Sequence, residues 1–363
     1  MKILYITTIG GTMTFFKSFI KQLIDKGHTV DIATNEEASV VPSCYREWGC
    51  QVYHIDTSRS PIEAGNIKAI GQIKRIARKG QYDIVHCHTP IAAVCTRMAC
   101  RPLRKKGVKV FYTAHGFHFY KGAPLKNWLI YYPVEKFCAH FTDTLITINK
   151  EDFELARKKM QAKRVVYVPG VGIDLKKFGH TKTNKAEKRK ELGIPDDATL
   201  LLSVGELNEN KNHETVIRAI ANMNLYYLIA GEGDLHEHLQ SVINEQGLSN
   251  RVKLLGYRTD VAELYKAADL YILPSIREGL NVSLMEAMAS GLPVVCGRIR
   301  GNMDLIDAKG GALFEPQNIY ECREAIKQAL CRDMINLGRY NQEKVRTFSI
   351  EEVNRKMQGI YAM

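Results

Sequence analysis

A chain of 363 residues is long enough for two separate cores, and 45% apolar with 25% charged side chains excludes a disordered or fibrous protein. No apolar run approaches 18 residues, and the opening Met1-Lys2-Ile3-Leu4-Tyr5-Ile6 reads as a strand rather than a signal peptide, so a cytoplasmic location is expected. The net charge of +12 is carried by the first half, where residues 1–170 hold 26 Lys and Arg against 13 Asp and Glu; this implies an anionic partner such as a membrane surface, a phosphorylated carrier or nucleic acid.

In chain order, a strand over residues 2–6 leads to a helix over 15–26 and, past the turn at Gly27-His28, to a strand over 29–33. Strands over 52–55, 84–87, 110–113, 144–148 and 165–167 follow, with helical spacing such as that of residues 67–79 between most of them. Pro169-Gly170-Val171-Gly172 then opens a Lys-rich polar stretch that reads as a linker. Beyond it, strands over 200–204, 226–230, 252–254, 270–273, 294–296 and 311–313 repeat the alternation, and a helical tail covers about 350–357. Strands alternating with helices predict an α/β protein with two doubly wound parallel sheets, whose ligands bind at the carboxyl ends of the strands, facing a common cleft. The predicted division is a first domain over 1–170, a linker over 171–197, a second domain over 198–347 and a tail over 348–363, able to pack back on the first domain.

Glu278 and Glu286 bracket the start of a helix between two predicted strands. At 1.5 Å rise per residue they stand roughly 10–12 Å apart, too far for an acid/base dyad and suited to gripping two parts of one elongated ligand. Between them, helix-start amides near Leu280, Asn281 and Val282 suit an anion. Gly10-Gly11 and Gly231-Glu232-Gly233 end strands where backbone can approach phosphate or sugar, though a plain tight turn explains either pair too. Nine cysteines show no paired CxxC spacing, and Cys87 between His86 and His88 has no second cluster to complete a metal site. No DxD element ends a strand, so no metal is expected.

Residues 117–138 mix aromatics, Trp128 among them, with Lys121, Lys126 and Lys136. They read equally as an element resting on an anionic bilayer or as a cleft-lining loop and core helix. The cluster Arg97, Arg101, Arg104, Lys105, Lys106 and Lys109 is the clearer basic patch, suited to phospholipid head groups or a carrier diphosphate.

Taken together, Glu278-x7-Glu286, Val204-Gly205-Glu206-Leu207 with Lys211-Asn212, the Ala230-Gly231-Glu232-Gly233 turn and Val168-Pro169-Gly170-Val171-Gly172-Ile173-Asp174 resemble the retaining glycosyltransferases of family 4, over nearly the whole chain. The resemblance implies the GT-B architecture of two Rossmann-like domains and no cofactor beyond a nucleotide-sugar donor, UDP-linked by expectation. The Thr113-Ala114-His115-Gly116-Phe117-His118-Phe119-Tyr120 and Val204-Gly205-Glu206-Leu207 versions are similar to enzymes that build bacterial capsule, exopolysaccharide or other glycans on polyprenyl-diphosphate carriers, which implies a place peripheral to the inner membrane leaflet.

By this likeness Glu278 binds the donor sugar, Glu286 the ribose and Lys211 the diphosphate, while Arg258 lies where relatives hold the base. His115 orients a donor hydroxyl or assists the acceptor proton; His88 and His118 are weaker acceptor-side candidates. Glu206 departs from the family's usual Arg, and either it turns away or Arg298 or Arg300 replaces it. A sugar-nucleotide epimerase on the same scaffold and a noncatalytic sugar-nucleotide sensor are the rival readings. A nucleic-acid binder is disfavoured, since no helix-turn-helix or aromatic–basic RNA signature is present.

Overall fold

The structure, a computed structural model, describes residues 1–179 and 181–362. It divides into two compact units: residues 1–171 joined by 354–363, and residues 172–353. In the first unit β1 (Lys2–Ile9), β2 (Thr29–Asn35), β3 (Val52–His54), β4 (Ile84–His88), β5 (Lys109–Ala114), β6 (Thr144–Thr147) and β7 (Arg164–Tyr167) form one parallel sheet in the order β3-β2-β1-β4-β5-β6-β7. In the second, β8 (Leu200–Val204), β9 (Tyr226–Ala230), β10 (Val252–Leu254), β11 (Leu270–Leu273), β12 (Val294–Gly297) and β13 (Gly311–Phe314) are ordered β10-β9-β8-β11-β12-β13.

Helices cover these sheets, so strands such as β11 and β12 are buried along their whole length and read as continuous apolar runs. The order reverses between β1 and β4 in one unit and between β8 and β11 in the other. At such a switch point neighbouring connections leave in opposite directions and open a crevice at the carboxyl ends. Both predicted sheets are present, and the protein has the expected doubly wound α/β fold.

Differences from the sequence reading have local causes. The helix expected over 15–26 begins as a 3-10 turn, Gly10–Phe16, before the α-helix Lys17–Asp25. Gly10 presses on the neighbouring loop so closely that a Cβ would lie 2.2 Å from the Ser39 carbonyl oxygen. The stretch predicted as a linker over 171–197 belongs to the second unit, apart from Val171 and the undescribed His180. Its helix Lys185–Leu192 buries Lys188 and Arg189, whose charges are met by Asp260 at 2.6 Å and Asp269 at 2.6 Å. A polar composition concealed this packing because the partners lie about 70–80 residues away. A helix the sequence reading omitted, Met334–Val345, is capped by Asp333.

The last helix, Ile350–Tyr361, runs beyond the predicted 357, and its end closes the first unit. Asn354 reaches Ser18 at 2.9 Å, Gln358 reaches Gln22 at 2.7 Å, and Tyr361 donates to the Tyr5 hydroxyl at 3.0 Å. Among the described residues no helix is long and apolar enough to cross a membrane.

Candidate active site

At the β8/β11 switch point two loops are latched together through backbone. Ile276 N–H donates to Asn210 O at 2.8 Å, and the Asn210 and Asn212 side chains donate to Arg277 O and Pro274 O. This latch sets Lys211 Nζ 2.7 Å from Glu278 Oε1, with both side chains mostly buried. Removing either partner would leave the other charge poorly solvated.

The helix Val282–Ala289 starts beside them. Asn281 is its N-cap, with Oδ1 accepting from Leu284 N–H at 2.9 Å, while Ser283 Oγ ties the helix start to Val204 O at 2.9 Å. The amides of Val282 and Ser283 have no hydrogen-bond partner among the described residues, which leaves the positive end of the helix open to an anion. Leu280 and Asn281 are buried, so at Leu280 only backbone is available to a ligand.

Glu286 lies one turn further on and accepts from Tyr265 O–H at 3.0 Å. Burial pushes its carboxyl up to about 7, against the smaller opposing effect of the Tyr265 hydrogen bond. The same Tyr265 hydroxyl lies 3.0 Å from Ser283 O, sharing its one hydrogen between the two acceptors, and Tyr271 shares a 2.7 Å hydrogen bond with Ser283 Oγ. Sequence reasoning missed this tyrosine–serine scaffold; its only signal was a tyrosine within an otherwise aliphatic β11.

Other sequence candidates have occupations of their own. At Gly231, whose φ is 155°, a Cβ would lie 1.9 Å from Gly205 O, and at Gly233 one would lie 2.4 Å from Leu207 O. Their close approach is to protein backbone, which the plain-turn reading explains. Gly11 faces a side chain instead, where a Cβ would lie 2.6 Å from Ser39 Oγ. Arg258 is clamped by Asp260, with Nε 2.8 Å from Oδ1, so its guanidinium is already committed. Glu206 is exposed. Of the proposed replacements, Arg300 is buried and Arg298 lies 3.4 Å from Glu315.

At the β1/β4 switch point of the first unit, His115 follows β5 and lies 3.2 Å from His88 Nδ1 through Nε2. His88, only 2% exposed, stacks among Tyr5, Phe16 and His86. It therefore stands behind His115 rather than lining an acceptor surface, which corrects the expectation for that residue. His86 bridges the Tyr361 hydroxyl and Thr113 Oγ1. Burial among these rings pushes His115 down to about 4 and His86 to about 3, so the group is neutral near pH 7. His118 is half-buried against Tyr131.

The basic patch divides. Arg97 is fully buried on Glu135 at 2.8 Å, and Arg104 grips Asp143 with two nitrogens at 2.9 and 2.8 Å. Both are structural ion pairs rather than docking charges. Arg101 covers the Phe141 ring, while Lys105 and Lys106 are exposed. Trp128 donates Nε1–H to Tyr120 O and packs on Phe119 and Tyr132, so it is held within the unit.

Two doubly wound parallel sheets, each gathering polar groups at its switch point, are the architecture of the GT-B class of transferases. Residues 2–149 match the family described as glycosyl transferase 4-like and residues 184–343 that described as glycosyl transferases group 1; the chain belongs to this glycosyltransferase family. It is similar to EpsD of Bacillus subtilis, named as a glycosyltransferase, with 34% identity over 99% of this chain and 96% of EpsD. An Escherichia coli protein named UDP-Gal:alpha-D-GlcNAc-diphosphoundecaprenol alpha-1,3-galactosyltransferase is 29% identical over 91% of this chain and 90% of its own. Among solved structures, Anabaena HepE in complex with UDP superposes with a TM-score of 0.82 at 19% identity over 100% of both chains, a likeness of fold.

Proposed function

We propose that this glycosyltransferase is a retaining enzyme that moves a hexose or N-acetylhexosamine from a UDP-sugar to a polyprenyl-diphosphate-linked glycan, at the inner face of a membrane, in cell-surface polysaccharide assembly. The observation that carries the reading is the Lys211–Glu278 pair beside the open amides of Val282 and Ser283, with Glu286 one turn beyond. A cation and amides suit a diphosphate, and carboxylates on either side suit hydroxyls. The name of the E. coli relative, and HepE structures with UDP and UDP-glucose, support this choice of donor and acceptor.

In this reading the diphosphate takes Lys211 from Glu278, which turns to the sugar hydroxyls, while Glu286 accepts from the ribose. The bond from the anomeric carbon to the phosphate oxygen breaks as the acceptor oxygen bonds on the same face. The acceptor proton passes to the departing phosphate oxygen, and UDP leaves. Charge on the leaving group is stabilised by Lys211 and the helix-start amides, already in place before reaction. His115, neutral near pH 7, acts as a hydrogen-bond partner rather than as a cation.

The test is to incubate the protein with a panel of UDP-sugars and a lipid-diphosphate N-acetylglucosamine acceptor, then weigh the product and determine its anomeric configuration by NMR. One added sugar in the donor's configuration is expected, undiminished by chelator. Inversion would overturn retention, and absence of product from every UDP-sugar would overturn the donor class.

A further inference from the structure

The helices Gly65–Gly80, Pro90–Arg104 and Leu125–Ala139 of the first unit border a cavity of about 480 Å³, within the range of small-molecule sites. Ile67, Ile70, Ile91, Val94 and Val134 form much of its wall. Its rim is open hydrocarbon, with Ile62, Ile67 and Ile130 exposed at 92%, 76% and 59%. Leu125, Leu129 and Phe137 on the last of these helices are exposed as well. Single exposed apolar residues are ordinary, but a cavity rimmed by several marks a binding surface.

The cavity shares Pro61, Pro90, Ile91, His118 and Tyr131 with a smaller hollow that is lined also by Thr8, Thr12, Thr89 and Arg59. This hollow lies at the β1/β4 switch point. Thr89 holds a φ of 64° there, a strained backbone for a β-branched residue and one concentrated at functional sites. Polarity thus runs from a cation and hydroxyls at the strand ends to hydrocarbon among the helices. Glu135 at the cavity wall is neutralised by Arg97, and Glu63 at the rim is exposed to solvent.

We infer that this groove holds the first isoprene units of the acceptor's lipid, with the attached diphosphate toward Arg59 and the threonine hydroxyls. The inference deepens the proposed function and rests on its acceptor class. Charge complementarity selects the occupant: Arg59, in the wall of the hollow, is exposed with no ion-pair partner among the described residues. An anionic head on one flexible hydrocarbon chain uses both the Arg59 cation and the apolar wall, whereas an uncharged apolar ligand leaves the cation idle. The groove also gives a use to Ile130 and Val134 of the helix 125–139, which line it and are otherwise exposed to water.

Calorimetry with the full chain compares farnesyl diphosphate with inorganic diphosphate. Farnesyl diphosphate is expected to bind at least tenfold more tightly, and Val94→Trp, which fills the cavity, removes the difference. Ile67→Asp changes an exposed rim residue, so it folds even where the Trp variant does not, and it weakens farnesyl diphosphate alone. Equal affinities for the two probes, or unchanged farnesyl diphosphate binding in Ile67→Asp, overturns the groove. Sugar transfer that ignores lipid length would sink the groove and leave the proposed function standing. Tight, Val94-dependent binding without any sugar transfer would do the reverse.

Discussion

The two switch points share a topology and differ in almost everything else. At β8/β11 the side chains are acidic and basic: the Lys211–Glu278 ion pair stands beside open helix amides, with the buried Glu286 carboxyl, raised to about 7, one turn beyond. At β1/β4 they are aromatic and neutral, with His86, His88 and His115 layered on Tyr5 and Phe16 beside an apolar cavity. A doubly wound sheet supplies a crevice and leaves its chemistry to the loops. In the proposed reading one crevice takes a diphosphate and sugar hydroxyls, and the other a ligand whose recognition depends on shape, hydrogen bonds and hydrocarbon.

If that contrast is real, the charged site carries the largest effects. Glu278→Ala is expected to lower kcat by about two orders of magnitude or more, the scale of a lost transition-state contact, with far-UV circular dichroism unchanged. Near-normal turnover would remove Glu278 from the donor site. His115→Ala should cost about ten- to a hundredfold, because a neutral hydrogen-bonding group contributes less than a charged one. With His115 titrating near 4 and His86 near 3, kcat should show no break from these histidines between pH 5.5 and 8. A break near 6.5 abolished in His115→Ala would mean that the aromatic site is charged after all.

Glu286 gives an effect on stability. Its folded pKa of about 7 exceeds the ordinary 4.5, so the folded state holds the extra proton between those values and stability falls as pH rises through that window. The cost above pH 7 is about 3 kcal/mol. Glu286→Gln should therefore raise the Tm at pH 8 and leave it little changed at pH 4, while weakening UDP binding. A Tm unchanged at both values would show that Glu286 is better solvated than its burial implies. The smallest effects belong to the basic surface. Replacing Lys105 and Lys106 with Ala should weaken binding to anionic vesicles by about 1 kcal/mol each, whereas Arg104→Ala should lower the Tm because Asp143 loses its clamp. Equal vesicle binding by the lysine variant would argue against membrane docking through this patch.

Much of the second unit's site was legible because it is local. Glu278 and Glu286 lie on one short strand–loop–helix segment, and Asn281 announces the helix start by its type and position. The neutral character of His115 was not legible, since it depends on rings from β1, β4 and the 3-10 turn. The cavity was also invisible in the sequence, because its wall draws on three helices whose apolar residues look the same whether they face a core or a hollow.

Alternating apolar and amphipathic runs were enough to determine two parallel α/β sheets, since strand and helix periodicity are properties of neighbouring residues. Which charges remain for a ligand was decided only by folding. Arg97, Arg104 and Arg258 look like Lys105 and Lys106 in the chain, yet the first three are engaged by Glu135, Asp143 and Asp260. For Arg97 and Arg104 the carboxylate comes from nearly 40 residues away, and no local pattern encodes a pairing over that separation.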